Sequence, residues 1–161
     1  MPYYMNKKKK ASADESSKKT QKKSRTPPSL STLRDKLDAT FSRYIRLRDA
    51  MPSGTFRCIS CGQIKPIDQA DCGHFHSRIH MATRFDEDNC NAECRYCNRF
   101  SADHLIGYRA NLIKKIGEQR FALLEVKANT TKKWTPFELE QLNKYYRALV
   151  LKLERDKGLK L

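Results

Sequence analysis

Cys58-Ile59-Ser60-Cys61 and Cys94-Arg95-Tyr96-Cys97 are two CxxC pairs, and the 32 residues between Cys61 and Cys94 carry Asp71, His74, His76, His80 and Asn89. Two such pairs can place four thiolates tetrahedrally around one Zn²⁺, which then supplies folding energy that a short segment cannot find in apolar burial. A single CxxC also suits a thioredoxin-like redox pair, but two pairs bracketing a His- and Asn-bearing segment favour metal. Zinc ribbons and treble clefs that do no chemistry separate their pairs by about 15 to 20 residues, so this longer interval has room for a further function.

Outward from that segment, the chain is small and strongly basic. Its 161 residues, 39% of them hydrophobic, allow one modest core with polar extensions. The formal net charge of +15 raises the local concentration of polyanions, which makes nucleic acid the first partner to expect. No apolar run reaches bilayer-spanning length, and the start lacks the apolar centre of a secretory signal, so the expected location is the cytoplasm and no membrane partner is expected. Disulfides are disfavoured in that compartment, which again points the cysteines towards metal.

Four regions follow. Residues 1–30 read as a disordered basic arm, with Lys7 to Lys10, Lys18, Lys19, Lys22, Lys23 and Arg25 and almost no aliphatic side chains. The arm either tracks phosphates or only solubilises the chain. Residues 31–50 read as an amphipathic helix, with Leu33, Leu37, Phe41, Tyr44 and Ile45 inward and Ser31 or Thr32 as the cap. Its basic face, Arg34, Lys36, Arg43, Arg46 and Arg48, either follows a groove or is simply solvated.

Residues 51–117 read as a zinc-stapled core. The first CxxC is the turn of a hairpin over Phe56 to Ile67, a strand runs through Asp71 to Phe75, and an irregular stretch leads to Asn89. The second CxxC opens a helix that continues from Arg99 through Lys115, with Leu105, Tyr108, Leu112, Ile113 and Ile116 inward. Residues 118–161 read as a helical extension. A short helix carries Phe121, Leu123 and Leu124, and a second starts at Thr135-Pro136-Phe137-Glu138, a capping box with proline at the first helical position. Its seam of Leu139, Leu142, Tyr146, Leu149 and Leu153 suits packing on the Ser31 helix better than a short dimeric coiled coil.

The central segment resembles the HNH endonucleases. In that ββα-metal motif a His ends the first strand, an Asn lies in the following loop, and a His or Asn stands in the helix; here the matching positions are His74, Asn89 and Asn98. A resemblance over more of the chain, residues 31 to 155, is to the NinG or Rap recombination proteins of lambdoid phages. It is carried by Cys58 to Gly62, Gly73-His74-Phe75, Arg84 to Cys90 and Cys94 to Asn98. The resemblance implies an α+β fold with a ββα-metal core and a structure-specific endonuclease that acts on branched recombination intermediates such as Holliday junctions and D-loops. It also implies phage recombination proteins as partners.

The chemistry needs a base for water and a cation for the charge on the scissile phosphate. His74 suits the base, because imidazole can be neutral at pH 7. The carbonyl oxygen of Asn98 suits Mg²⁺ or Mn²⁺, and the resemblance gives Asn89 the task of fixing the loop and aiming His74. Many HNH enzymes place a metal ligand just before the catalytic His, where this chain has Gly73. Asp71, two residues back on the same strand face, is the substitute, with His76 as the alternative. The expected sites are therefore Cys58, Cys61, Cys94 and Cys97 for structural zinc, Asp71 and Asn98 for the divalent cation, and Arg78, Arg84 and Arg99 for phosphates. Arg84 beside Phe85 also suits a structural role. Cys72 and Cys90 are left over and read as buried near the site, although Cys90 could compete for the zinc. Two symmetric cuts in a junction would suit a homodimer. A second reading is a zinc-stabilised nucleic-acid-binding module that does not cut. A third, a sequence-specific nuclease of the same fold, is weakened by the absence of an added specificity domain.

Overall fold

The computed structural model describes residues 27–161. The basic arm expected over residues 1–30 lies outside the described residues as far as residue 26. α1 spans Leu30–Asp49 and begins earlier than Ser31, because Ser29 is the cap and its hydroxyl accepts the Thr32 N–H at 3.2 Å. Pro52 and Gly54 then turn the chain into β1 (Thr55–Arg57) and β2 (Ile64–Pro66), an antiparallel hairpin whose connection holds Cys58 and Cys61. After a single 3-10 turn, β3 (Ala70–His74) pairs antiparallel with β4 (Cys90–Cys94), with Asp71 opposite Glu93 and His74 opposite Cys90. The fold is thus mixed α+β with two small antiparallel sheets.

β4 lies where the sequence reading places no strand, although the ββα resemblance implies one. All five of its residues are buried, so although Cys90-Asn91-Ala92-Glu93-Cys94 alternates apolar and polar side chains, Asn91 and Glu93 do not face solvent as they would in a half-exposed strand. Its outer edge is covered by bonds from distant parts of the chain: Ile59 N–H donates to the Ala92 carbonyl at 3.1 Å, and the Asp49 carboxylate accepts the Ala92 N–H at 2.8 Å. Arg48, one residue earlier on α1, donates to the Cys90 carbonyl at 2.8 Å and to Asn91 Oδ1 at 3.2 Å.

The helix expected after the second CxxC is two helices, α2 (Arg95–Phe100) and α3 (His104–Ile116), broken at residues 101–103. Leu105 is exposed instead of inward, because the face of α3 that meets the sheet layer carries Gly107, Tyr108, Asn111 and Leu112. α4 (Glu118–Ala128) buries Phe121 and Leu124 but turns Leu123 to solvent. α5 (Pro136–Lys157) has the expected capping box: Thr135 Oγ1 accepts the Glu138 N–H, and the Glu138 side chain accepts the Thr135 N–H. Among the described residues no helix is long and apolar enough to cross a membrane.

α5 packs along α1, so its apolar seam is used within the chain. Phe41 lies at the centre, edge-on to Phe85 at 5.8 Å and to Tyr146 at 4.8 Å between ring centroids. Glu87, at the end of the loop between β3 and β4, accepts hydroxyl bonds from Tyr44 of α1 (2.7 Å) and Tyr146 of α5 (3.4 Å). The long helices therefore hold the loop that ends at Asn89. Phe41→Ala should lower unfolding free energy by about 3–5 kcal/mol in a urea titration, whereas the exposed Leu151→Ala should change it by less than about 0.5 kcal/mol.

Candidate functional site

The two knuckles meet. The first is a tight turn in which Cys58 N–H donates to the Gln63 carbonyl and Gly62 N–H donates to the Cys58 carbonyl, each at 2.9 Å, with Gly62 at φ 72°. The second lies across a strand end and a helix start: Cys94 closes β4 and caps α2, and Cys97 stands in the first helical turn. The four Sγ atoms lie within 4.8 Å of one another, and Cys94 N–H donates to Cys58 Sγ at 3.3 Å. Burial pushes the Cys58 thiol up to about 11 and the Cys97 thiol well beyond its usual range. At Cys61 burial acts in the same direction but is outweighed by the Gln63 N–H and the neighbouring thiols, so its pKa falls. Thiols this close resist joint ionisation, and a cation among them relieves the repulsion. The donor set fits, and these four cysteines could hold a structural metal.

His74 is the last residue of β3, and Asn89 directly precedes β4. Asn89 is fully buried and clamps the loop between the strands: its Oδ1 accepts the His76 N–H at 2.7 Å, and its Nδ2 donates to the carbonyls of His76 (2.9 Å) and Thr83 (3.0 Å). Tyr108 of α3 adds a latch, its buried hydroxyl lying 3.1 Å from both the Gly73 and the Asn89 carbonyls. The ring of His74 lies between two backbone oxygens, with Nδ1 3.2 Å from the Cys72 carbonyl and Nε2 3.2 Å from the Arg84 carbonyl. A neutral imidazole carries one N–H, so one of these nitrogens donates and the other keeps its lone pair. Burial, together with the charge of Arg78, holds His74 below the ordinary imidazole range, so it is neutral at pH 7.

Asp71, Asn98 and Arg99 form a separate hydrogen-bonded group. Asp71 Oδ2 accepts from Asn98 Nδ2 at 3.1 Å and from Arg99 Nε at 2.6 Å, and Oδ1 accepts from Arg99 at 2.9 Å. Burial opposes ionisation of Asp71, but Arg99 and Asn98 outweigh it and lower its pKa. The alternation of β3 puts Asp71 and Gly73 on one face and Cys72 and His74 on the other, and no hydrogen bond among the described residues joins His74 to the Asp71 group. Arg84 spends its guanidinium on Asp38 of α1 and on the Arg78 carbonyl, and Arg78 itself is exposed. His76 points to Glu125 of α4 at 3.3 Å. Cys90 stands apart from the four-thiol cluster, beside Cys72 and His74.

One polar group escaped the sequence reading. Glu93 is fully buried on β4, where its Oε1 accepts from Ser60 Oγ at 2.5 Å and lies 2.7 Å from His104 Nδ1. Its Oε2 has no hydrogen-bond partner among the described residues. A Cβ built on Gly73 would fall on this carboxylate, so glycine is needed there to admit the Glu93 side chain. Nothing local in Ala92-Glu93-Cys94 marks this carboxylate as buried, because its burial follows from the β3–β4 register and from α3 closing over it.

The family described as Bacteriophage Lambda NinG protein matches residues 4–156. The chain belongs to the NinG family. The protein ninG of Escherichia phage 933W is 31% identical over 117 residues, 71% of this chain and 55% of the relative. That of Escherichia phage lambda is 30% identical over 117 residues, 71% of this chain and 54% of the relative. That of Salmonella phage P22 is 32% identical over 105 residues, 64% of this chain and 48% of the relative. The chain spans about half the length of these relatives. No solved structure matches it.

In this NinG-family chain the first knuckle is seated directly on α3. Asn111 Nδ2 donates to the Ile59 carbonyl at 2.8 Å, and Gly107 packs so near the Ser60 carbonyl that a Cβ would collide with it. Gly107→Ala should therefore cost about 1–3 kcal/mol of stability and weaken metal retention, read as faster release to a chromogenic chelator. Gly117→Ala, with open space around it but φ at 83°, should lose stability without faster metal release.

Proposed function

We propose that this chain is a divalent-metal-dependent DNA endonuclease with a ββα-metal core, stapled by structural Zn²⁺ at Cys58, Cys61, Cys94 and Cys97. Its proposed substrate is branched recombination DNA such as Holliday junctions and D-loops. The observation that carries the reading is the order β3, loop, β4, α2 with His74 at the end of β3, Asn89 clamping the loop and Asn98 in the helix. The net charge of +15 supports a polyanionic partner, and the resemblance to the NinG or Rap recombination proteins supports branched DNA.

In this reading His74, neutral at pH 7, takes a proton from water at whichever ring nitrogen is free of a hydrogen, and the other nitrogen is steadied by a backbone carbonyl. Asn89 and Tyr108 act as positioning residues by fixing the carbonyls and amides on either side of His74. Asn98 and Asp71 would hold Mg²⁺ or Mn²⁺ through a carbonyl and a carboxylate oxygen on the face of β3 opposite His74, so the cation would act on the phosphate charge and not on the water that His74 deprotonates. That cation, when bound, neutralises charge on the scissile phosphate. Arg99, half-exposed and paired with Asp71, is placed to exchange that partner for a phosphate, with the exposed Arg78 as a second contact.

The test is cleavage of end-labelled Holliday junction, D-loop and linear duplex of matched sequence in Mg²⁺, Mn²⁺ or EDTA. The wild-type chain should cut branched DNA in either cation and not in EDTA. His74→Ala, with unchanged metal content and circular dichroism, should be slower by about 10²–10⁴-fold. Tight binding with no cutting by the wild type would replace the nuclease with a zinc-stabilised DNA-binding module.

A further inference from the structure

Cys72 and Cys90 stand outside the four-thiol cluster, yet they are not isolated. Cys72 and His74 are two residues apart on β3, and Cys90 lies directly across the sheet from His74. All three share the face of the sheet that packs on α1, and one donor atom from each lies within 4.8 Å of the others. Cys90 is wholly buried, Cys72 nearly so, and His74 is half-buried.

The donor chemistry is that of a soft cation. Thiolate and imidazole are the preferred ligands of Zn²⁺, and catalytic zinc sites elsewhere are built from three protein ligands, with two cysteines and one histidine as a known set. Zn–S and Zn–N lengths of about 2.3 and 2.0 Å set donors about 3.5–3.8 Å apart in a tetrahedron, so small side-chain rotations close this triad on an ion. Two thiolates and a neutral imidazole balance a dication, so the loaded group carries no net charge into the apolar layer of Phe41 and Phe85. The Arg84 carbonyl lies 3.6 Å from Cys90 Sγ and 3.2 Å from His74 Nε2, so a backbone oxygen adjoins two of the three donors.

We propose that Cys72, His74 and Cys90 form a second metal site, selective for zinc and other thiophilic dications and separate from the four-thiol cluster. Ligation uses the lone pair of His74, so an ion here and proton abstraction by His74 exclude one another. On the nuclease reading above, zinc at this site silences cleavage. Mg²⁺, which prefers oxygen donors, leaves the site empty and His74 free.

The test uses the full chain, stripped of metal, kept in a non-thiol reductant with excess Mg²⁺ to fill any oxygen-donor site, and titrated with Co²⁺ and then Zn²⁺. Bound metal is counted by mass spectrometry, and the ligand field is read from the Co²⁺ visible spectrum. The wild type should bind two equivalents, with two distinguishable spectra. The Cys72→Ala/Cys90→Ala chain should bind one, with the spectrum of a four-thiolate site. His74→Ala, which leaves both thiols in place, should weaken the second equivalent at least tenfold. One equivalent in the wild type, or two in the double variant, would overturn the site. In parallel, each chain's cleavage in Mg²⁺ is compared with and without a second equivalent of Zn²⁺. Inhibition of at least tenfold in the wild type and none in the double variant is expected. Equal inhibition of both chains would sink the silencing role. A wild type that binds two equivalents but cuts no DNA would remove the nuclease reading and leave the metal site standing.

Discussion

The antiparallel pairing of β3 with β4 is the constraint on which the rest of the molecule depends. It brings Cys94 back to Cys58 and places α2 so that Cys97 completes the thiol cluster. It sets His74 opposite Cys90 and Asp71 opposite Glu93. Two five-residue strands cannot hold such a register alone, because an isolated two-stranded sheet is marginal in water. The register is held from outside: α1 contributes Arg48 and Asp49 to the free edge of β4, and α3 contributes Tyr108 to the loop end.

The two faces of this small sheet have different chemistry. One face, towards α1, is lined with thiols, aromatic rings and the His74 imidazole, a soft and largely dry environment. The other holds Asp71, Glu93, Asn91 and Asn98, and the side-chain oxygens of the first three meet the basic groups of Arg48, Arg99, His104 and Lys115. Residues adjacent on β3 therefore meet unlike surroundings, and strand alternation produces this without any insertion. Gly73 lets the two faces coexist, since a side chain there would displace the Glu93 carboxylate.

Electrostatics and burial are also divided along the chain. The α1–α5 layer is aromatic and aliphatic at its centre, and Glu87 anchors the loop to both long helices through Tyr44 and Tyr146. Burial and the Glu87 charge push both phenols above their ordinary range, so they remain hydroxyl donors. The knuckle layer has few large apolar side chains beyond Phe56 and Ile67, so a metal on the four thiols could supply cohesion that apolar burial there does not.

Much of this arrangement is determined by local sequence. The CxxC spacing predicts two tight knuckles, the three- and four-residue recurrence of Leu33, Leu37 and Phe41 predicts α1, and Thr135-Pro136-Phe137-Glu138 predicts the start of α5, because turn geometry, helical period and capping are short-range properties. Tertiary structure alone decided that Asn91 and Glu93 of β4 are buried, since the alternation in Cys90-Asn91-Ala92-Glu93-Cys94 by itself reads as a strand with one face in solvent. It also decided that Arg84 is committed to Asp38, that Glu93 is buried over Gly73, and that the two leftover cysteines converge on His74. Each of these depends on which residues meet across the β3–β4 register or against α1, and a one-residue slip would exchange every partner while leaving the local sequence signals unchanged.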